Sequence, residues 1–184
     1  METKAIVFDA YGTLFDVNSA AERCKDKIGN KWEAFANFWR TTQLEYTWLR
    51  SLMKRHKNFW QITEDSLDKS MEVFCIDKNM KNELLNLYKV LSPYSEVKDV
   101  LETLKKKNFK LSILSNGTPA LLNQLVKSNN LNDLFDDIFS IEEVGVYKPD
   151  SKVYDIPVKK YKIKKDEIAF LSANTWDVSG GGNY

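Results

Sequence analysis

Apolar and polar positions divide the chain into three stretches. At the start, Lys4–Asp9 (KAIVFD) is a short, β-branched apolar run closed by a carboxylate. Such a run suits a buried central strand of a parallel sheet. AYGTLFD then reads as a turn. From about Ser19 to Leu91 there is no strand pattern. Trp32, Phe35, Phe38 and Trp39 recur at helical spacing, and Leu44, Trp48, Leu49 and Leu52 continue the stripe. Leu84, Leu85, Tyr88 and Leu91 form another. The spacing predicts about four amphipathic helices packed as a helical subdomain. Ser92-Pro93-Tyr94 is a breaker where the chain can re-enter the first unit.

From Ser95 the pattern alternates. Ser95 is the expected cap of a helix that buries Val97, Val100, Leu101 and Leu104, with Lys105, Lys106 and Lys107 at its C-terminal end. Phe109–Ser115 predicts a second strand. Thr118 is the expected N-cap of the next helix, with Pro119 at its first position. Ile138–Ile141 predicts a third strand, Val153–Ile163 a helix and Ile168–Ser172 a fourth strand. Alternation of this kind predicts an α/β class fold, a Rossmann-like parallel sheet with helices on both faces. Right-handed crossovers then gather every strand C-terminus at one edge, where ligands bind.

Composition narrows the partners. The chain has 184 residues, 43% of them hydrophobic and 12% aromatic, enough for a substantial core. Lys and Arg number 27 against 26 Asp and Glu, so no basic excess points to nucleic acid. The apolar run Ala5–Phe8 is too short to span a membrane, and Met1–Lys4 lacks a signal-peptide pattern. Cys24 and Cys75 read as buried free thiols, and with His56 the single histidine a zinc site is not expected. These features predict a cytoplasmic globular protein. Lys54, Arg55 and His56 read as a solvated helix end.

Candidate chemistry sits at the predicted strand ends. Asp9 closes the first strand, Ser115-Asn116 the second, Lys148 follows the third, and Asn174 and Asp177 follow the fourth. A parallel sheet brings these residues, distant in sequence, to one edge. A carboxylate there can act as a nucleophile and form an ester that water cleaves. Lys148 nearby would hold Asp9 ionised. Asn116 and free N–H groups at the start of the Thr118 helix would make an anion pocket. A lone strand-end Asp is often only a cap or turn former, but four matched strand ends outweigh that reading.

The same residues carry a family resemblance. FDAYGTLFD around Asp9, LSNGTP around Ser115, VYKPD around Lys148 and SANTWD around Asp177 resemble the four motifs of the haloacid dehalogenase superfamily. The resemblance implies a cap inserted after the first strand, with residues 1–15 and 93–184 as the core and 16–92 as the helical cap. Magnesium-dependent phosphatases of the superfamily carry a second Asp two positions after the nucleophile, and here that position is Tyr11. An aromatic cannot protonate a leaving alkoxide as a carboxylic acid would. Asn174 likewise replaces an acidic metal ligand. Both departures, and FWRTTQLEYTWLRSLM in the cap, resemble the L-2-haloacid dehalogenase branch.

That branch implies a small 2-haloacid substrate, no metal, no cofactor, no membrane or nucleic-acid partner, and a homodimer. It implies that Asp9 displaces halide at C2 with inversion and that Arg40 receives the halide. Thr13, Ser115, Lys148, Ser172 and Asn174 would position and polarise groups around Asp9. Ser115 and the backbone near Asn116 would bind the substrate carboxylate. Asp177 with Lys148 would activate the hydrolytic water, and Tyr154 would support the lysine. Tyr11, Leu44, Phe59 and Trp176 would wall an apolar pocket.

Other readings stay beside this one. A magnesium-dependent phosphatase is one, and a non-catalytic remnant or interaction protein is another. The remnant reading rests on the chain's last third. Family members continue with a helix and a further edge strand, so a missing strand would leave Ile168–Ser172 on an exposed apolar edge. Pro157 falls inside a predicted helix, and SGGGNY is a poor helix start, with glycine costing about 1 kcal/mol against alanine in a helix interior.

Overall fold

The computed structural model describes residues 2–184. Four parallel strands form one sheet: β1 (Ala5–Phe8), β2 (Lys110–Ser115), β3 (Asp137–Ser140) and β4 (Ile168–Leu171), in the order β3-β2-β1-β4. β1 is buried along its whole length, which is why every position of KAIVF after the lysine is apolar. Ala5 pairs with Lys110 on one side and Ile168 on the other, so β1 lies between β2 and β4 in register. The chain steps from β1 to β2 to β3 in one direction, then returns to place β4 across β1. That reversal opens a crevice at the C-terminal ends of β1 and β4.

Between β1 and β2 the chain builds helices. α1 (Ser19–Glu22) and α2 (Lys25–Ile28) are single turns, followed by α3 (Trp32–Leu52), α4 (Phe59–Val73) and α5 (Lys81–Tyr88). α3 and α4 pack along each other, and Phe35, Trp39, Phe59, Ile62 and Leu67 are buried between them and their neighbours. Asn58 and Gln61 start α4 with a reciprocal capping box. The chain leaves the sheet and returns to it side by side: Asp16 N–H donates to the Ser92 carbonyl at 2.8 Å and Tyr94 N–H to the Leu14 carbonyl at 3.1 Å. α6 (Val97–Lys106), α7 (Pro119–Ser128), α8 (Ser151–Tyr161) and α9 (Thr175–Gly182) complete the structure. Among the described residues no helix is long and apolar enough to cross a membrane.

Several expectations are corrected. Ser95 does not cap α6. Glu96 holds that position, and the Ser95 hydroxyl donates to the Glu96 carboxylate instead. Val100 is 46% exposed, because the buried stripe of α6 runs through Val97 and Leu101. Phe109 lies outside β2: its N–H closes the end of α6 on the Leu104 carbonyl at 3.3 Å. Ile141 lies outside β3, where Ser140 accepts from Glu142 N–H and turns the chain. Lys162 ends α8 in the left-handed region, which leaves Ile163 outside the helix. Cys75 is exposed, whereas Cys24 is buried.

The glycine run does not break the last helix, since α9 continues to Gly182. Its reason is space. A methyl group at Gly180 would fall 2.6 Å from Pro149 Cβ and closer still to the Tyr154 hydroxyl. One at Gly181 would fall 3.0 Å from Phe170. Close approach of α9 to α8 therefore outweighs the loss in helix propensity. α8 runs through Pro157, whose ring is buried on the same side as Val153 and Ile156. β4 is the outer strand on this side of the sheet, with Leu171 41% exposed.

Candidate active site

The crevice is lined by the segments that follow β1, β2, β3 and β4. Asp9 extends β1 by one residue, its N–H donating to the Leu171 carbonyl at 2.9 Å. Its two carboxylate oxygens have different surroundings. Oδ2 accepts from Asn174 Nδ2 at 2.8 Å and Thr13 Oγ1 at 3.0 Å, with Ser172 Oγ at 3.5 Å. Oδ1 faces Lys148 Nζ at 3.1 Å. Thr13 Oγ1 accepts from Ala173 N–H, which directs its own proton to Asp9. Ser172 Oγ accepts from Asn174 N–H at 3.1 Å, so Ser172 turns the chain out of β4 rather than extending it. Gly12, at φ +87°, lets the backbone turn beside the Asn174 side chain.

Lys148 is fully buried and sits between two carboxylates, 3.1 Å from Asp9 and 2.9 Å from Asp177. The Phe170 ring lies 5.0 Å from its ammonium. Burial pushes the Asp177 carboxyl above the usual carboxylate range. Lys148 opposes that shift, Asp9 adds to it, and Tyr154 opposes it through a hydrogen bond. The expectation that Tyr154 supports the lysine is corrected here. Its hydroxyl donates to Asp177 Oδ1 at 2.7 Å, because α9 brings the carboxylate over α8. Burial, then the charge of Asp177, holds the Tyr154 phenol far above its ordinary range, so it remains a donor.

The helical layer closes over the crevice. Arg40 on α3 donates through Nη2 to the Tyr11 carbonyl at 3.0 Å, and Asn174 Nδ2 donates to the same oxygen at 3.2 Å. One carbonyl thus joins a guanidinium from the helices to an amide from the sheet edge. The Tyr11 ring stacks on Tyr88 at 5.7 Å and tilts against Phe59 at 5.0 Å. Burial raises the Tyr11 phenol well above its usual range, so it stays protonated and is too weak an acid to protonate a leaving group at neutral pH. Leu44 is half-buried one turn beyond Arg40. Trp176, half-buried in the first turn of α9, meets Trp48 of α3 edge to face at 5.5 Å. Trp48, Leu52, Val146, Pro149 and Trp176 line a cleft of about 440 Å³ that reaches Lys148.

The expected anion pocket lies at the end of β2. Ser115 is buried and its Oγ accepts from Gly117 N–H at 3.1 Å. Asn116 Oδ1 accepts from Lys148 N–H at 3.2 Å, which turns its Nδ2 into the remaining donor. At the helix start Thr118 Oγ1 takes Leu121 N–H, and Pro119 has none to offer. Donors that remain at this corner include Ser115 Oγ–H, Asn116 Nδ2 and the N–H of Ala120.

Sequence reasoning missed several residues. Gln43, Thr63 and Tyr88 form a buried polar cluster behind Arg40. Gln43 could have been found from its place three residues after Arg40 on one helix. Tyr147 is buried, and its hydroxyl donates to the Lys57 carbonyl at 2.6 Å. His56 is not a free helix end, since Nε2 lies 2.9 Å from Glu142. No spacing rule links residues so far apart in sequence.

Three comparisons bear on this arrangement. Residues 3–183 match the family model described as haloacid dehalogenase-like hydrolase. The chain is 42% identical to an (S)-2-haloacid dehalogenase of Pseudomonas sp. (strain YL), over 96% of this chain and 77% of that protein. It is 37% identical to (S)-2-haloacid dehalogenase 4A of Burkholderia cepacia, over 98% and 79%. Among solved structures, the L-2-haloacid dehalogenase from Xanthobacter autotrophicus with chloropropionic acid covalently bound is 36% identical. It superposes with a TM-score of 0.91 over 98% of this chain and 74% of that one.

Proposed function

The chain belongs to the haloacid dehalogenase-like hydrolases, and from that premise we propose that it hydrolyses L-2-haloacids to D-2-hydroxyacids through an ester on Asp9. The observation that carries the reading is the unequal Asp9 carboxylate beside a guanidinium. Oδ2 is held by Asn174 and Thr13, while Oδ1 has only the Lys148 ammonium. Oδ1 accepts one hydrogen bond against two shorter ones on Oδ2, and Oδ1 is taken as the attacking atom because Thr13 and Asn174 are then left on Oδ2, where charge develops in the second step.

In the first step Oδ1 forms a bond to C2 of the substrate as the carbon–halogen bond breaks. The halide leaves with the bonding pair, and C2 inverts. A halide needs no proton, which suits Tyr11 at a position where an acid would otherwise serve. Arg40 offers N–H donors where the negative charge appears. Tyr11, Leu44, Phe59 and Trp176 form the apolar walls for the alkyl group, and Ser115 with Asn116 takes the substrate carboxylate.

In the second step water adds to the Asp9 carboxyl carbon and gives a proton to Asp177. Charge develops on Oδ2, where Thr13 and Asn174 already point their protons, assisted by Ser172. The bond from that carbon to Oδ1 breaks, and the departing alkoxide takes the proton back from Asp177. The product oxygen is thus the former Oδ1, and water restores Asp9. One proton is released with the halide in each turnover. Lys148 lies between the two carboxylates and opposes the rise that burial imposes on Asp177, and Tyr154 orients Asp177.

The proposal assigns residues 16–92 to a cap and 1–15 with 93–184 to the core, supported by the paired crossings at Asp16 and Tyr94. It places the enzyme in the cytoplasm, supported by two unpaired cysteines. It includes a homodimer, supported by the exposed apolar side chains of Leu49 and Leu52 on α3 and of Met53 just after it. A single turnover in ¹⁸O-water tests the chemistry. The reading expects the label in Asp9 and unlabelled product. Label in the product during the first turnover would mean direct attack by water.

A further inference from the structure

Arg40 is not held by the sheet edge alone. Its Nη1 donates to Gln43 Oε1 at 3.0 Å while Nη2 reaches the Tyr11 carbonyl. Gln43 is buried, and so are the groups that fix it. Its Nε2 donates to Thr63 Oγ1 at 2.7 Å and contacts the Tyr88 hydroxyl at 3.0 Å. Thr63 spends its own proton on the Phe59 carbonyl at 2.8 Å, so it can only accept from Gln43. That settles which end of the amide faces which partner. Nε2 must face Thr63, and Oε1 is left for the guanidinium. The Tyr88 hydroxyl, 3.2 Å from Oε1, closes the cluster, and Trp39 Nε1 anchors the Thr63 carbonyl at 3.1 Å.

We propose that Gln43 is a positioning residue that aims Arg40 at the departing halide and, being a neutral acceptor, leaves its charge undiminished. The inference rests on the role assigned to Arg40 above. A carboxylate at position 43 would hold the guanidinium equally well, yet it would cancel the positive charge that the halide needs. An apolar residue would keep the packing and release the aim. Gln43 combines direction with neutrality, and Thr63 and Tyr88 keep its amide from flipping. The consequence is discrimination between leaving groups. Chloride departs less readily than bromide and depends more on the aimed cation.

The experiment measures steady-state halide release from L-2-chloropropionate and L-2-bromopropionate by the full chain. It compares the natural protein with Gln43→Met, Gln43→Glu, Tyr88→Phe, Arg40→Lys and the double variant Arg40→Lys/Gln43→Met, with thermal unfolding of each. Gln43→Met and Gln43→Glu are expected to lower kcat on the chloride by about 10- to 100-fold, the range for a misplaced catalytic group, with KM little changed. The bromide should lose less, so the bromide-to-chloride ratio of kcat rises. Tyr88→Phe, which removes one hydroxyl, should shift that ratio in the same direction by a smaller factor. The double variant should be no worse than Arg40→Lys alone.

Folded Gln43 variants with an unchanged ratio would overturn the inference, as would losses that multiply in the double variant. If both Gln43 variants unfold, an unchanged ratio in Tyr88→Phe overturns it. A natural protein that releases no halide overturns the dehalogenase reading itself, and this inference with it. An active natural protein with indifferent variants overturns the inference alone.

Discussion

Tyr154 donates its hydroxyl proton to Asp177 Oδ1 at 2.7 Å, and that bond depends on the missing side chain at Gly180. A β-carbon at Gly180 would overlap the Tyr154 hydroxyl. Gly180→Ala should therefore impair the second chemical step although Gly180 touches no reacting atom. The expected outcome is slower ester hydrolysis, with the Asp9 ester accumulating in rapid-quench mass spectrometry. Tyr154→Phe should show the same accumulation without the steric displacement.

Activity should fall on the acid side at a pH above the ordinary carboxylate range. Burial raises the Asp177 carboxyl from 3.8, and Asp177 must be ionised to accept a proton from water. A raised value keeps it protonated to higher pH, so the acid limb moves upward. Removing the Tyr154 hydroxyl takes away a group that lowers it, and Tyr154→Phe should move the limb further up. The measurement is the pH profile of single-turnover ester hydrolysis.

Lys148→Met should destabilise the fold by about 3–5 kcal/mol at neutral pH, the range for breaking a buried ion pair. It leaves two carboxylates facing each other with no cation between them. The sign of the pH response follows from linkage. An acid whose folded-state value is raised binds its proton more tightly in the folded state, so its penalty applies above that value and fades as the pH falls through it. The variant should recover part of its stability on mild acidification, as read by chemical denaturation at several pH values.

Tyr147→Phe should cost about 1 kcal/mol, the net worth of one hydrogen bond. Its hydroxyl ties the segment before α4 to the segment after β3 through the Lys57 carbonyl. The Tyr147 N–H to Ser51 Oγ contact at 3.1 Å remains in the variant. Hydrogen exchange should rise around residues 53–58 more than in β1 or β2.

Much of this was legible in the sequence, for physical reasons. A short β-branched run with no polar interruption suits a central strand, and β1 is such a run, while β2 is buried with Ser112 inside it. Strand ends in a parallel sheet share an edge, so Asp9, Asn174 and Asp177 meet however far apart they lie. What escaped was side-chain partnership. Tyr154 follows Lys148 by six residues in the sequence, and only the path of α9 decides that its proton goes to the Asp177 carboxylate. The glycines at 180 and 181 look like a helix breaker until their neighbours are seen. Tyr88 reads as one member of an apolar stripe and Gln43 and Thr63 carry no signal of their own, and their union inside the core follows from packing that no period encodes.

Halide release from L-2-chloropropionate by the purified protein, without added metal and beside Asp9→Asn, tests the central claim most directly. The account predicts stoichiometric chloride and D-lactate from the natural chain and neither from the variant. A folded natural protein that releases no chloride, or an Asp9→Asn variant that releases it at the same rate, would contradict it.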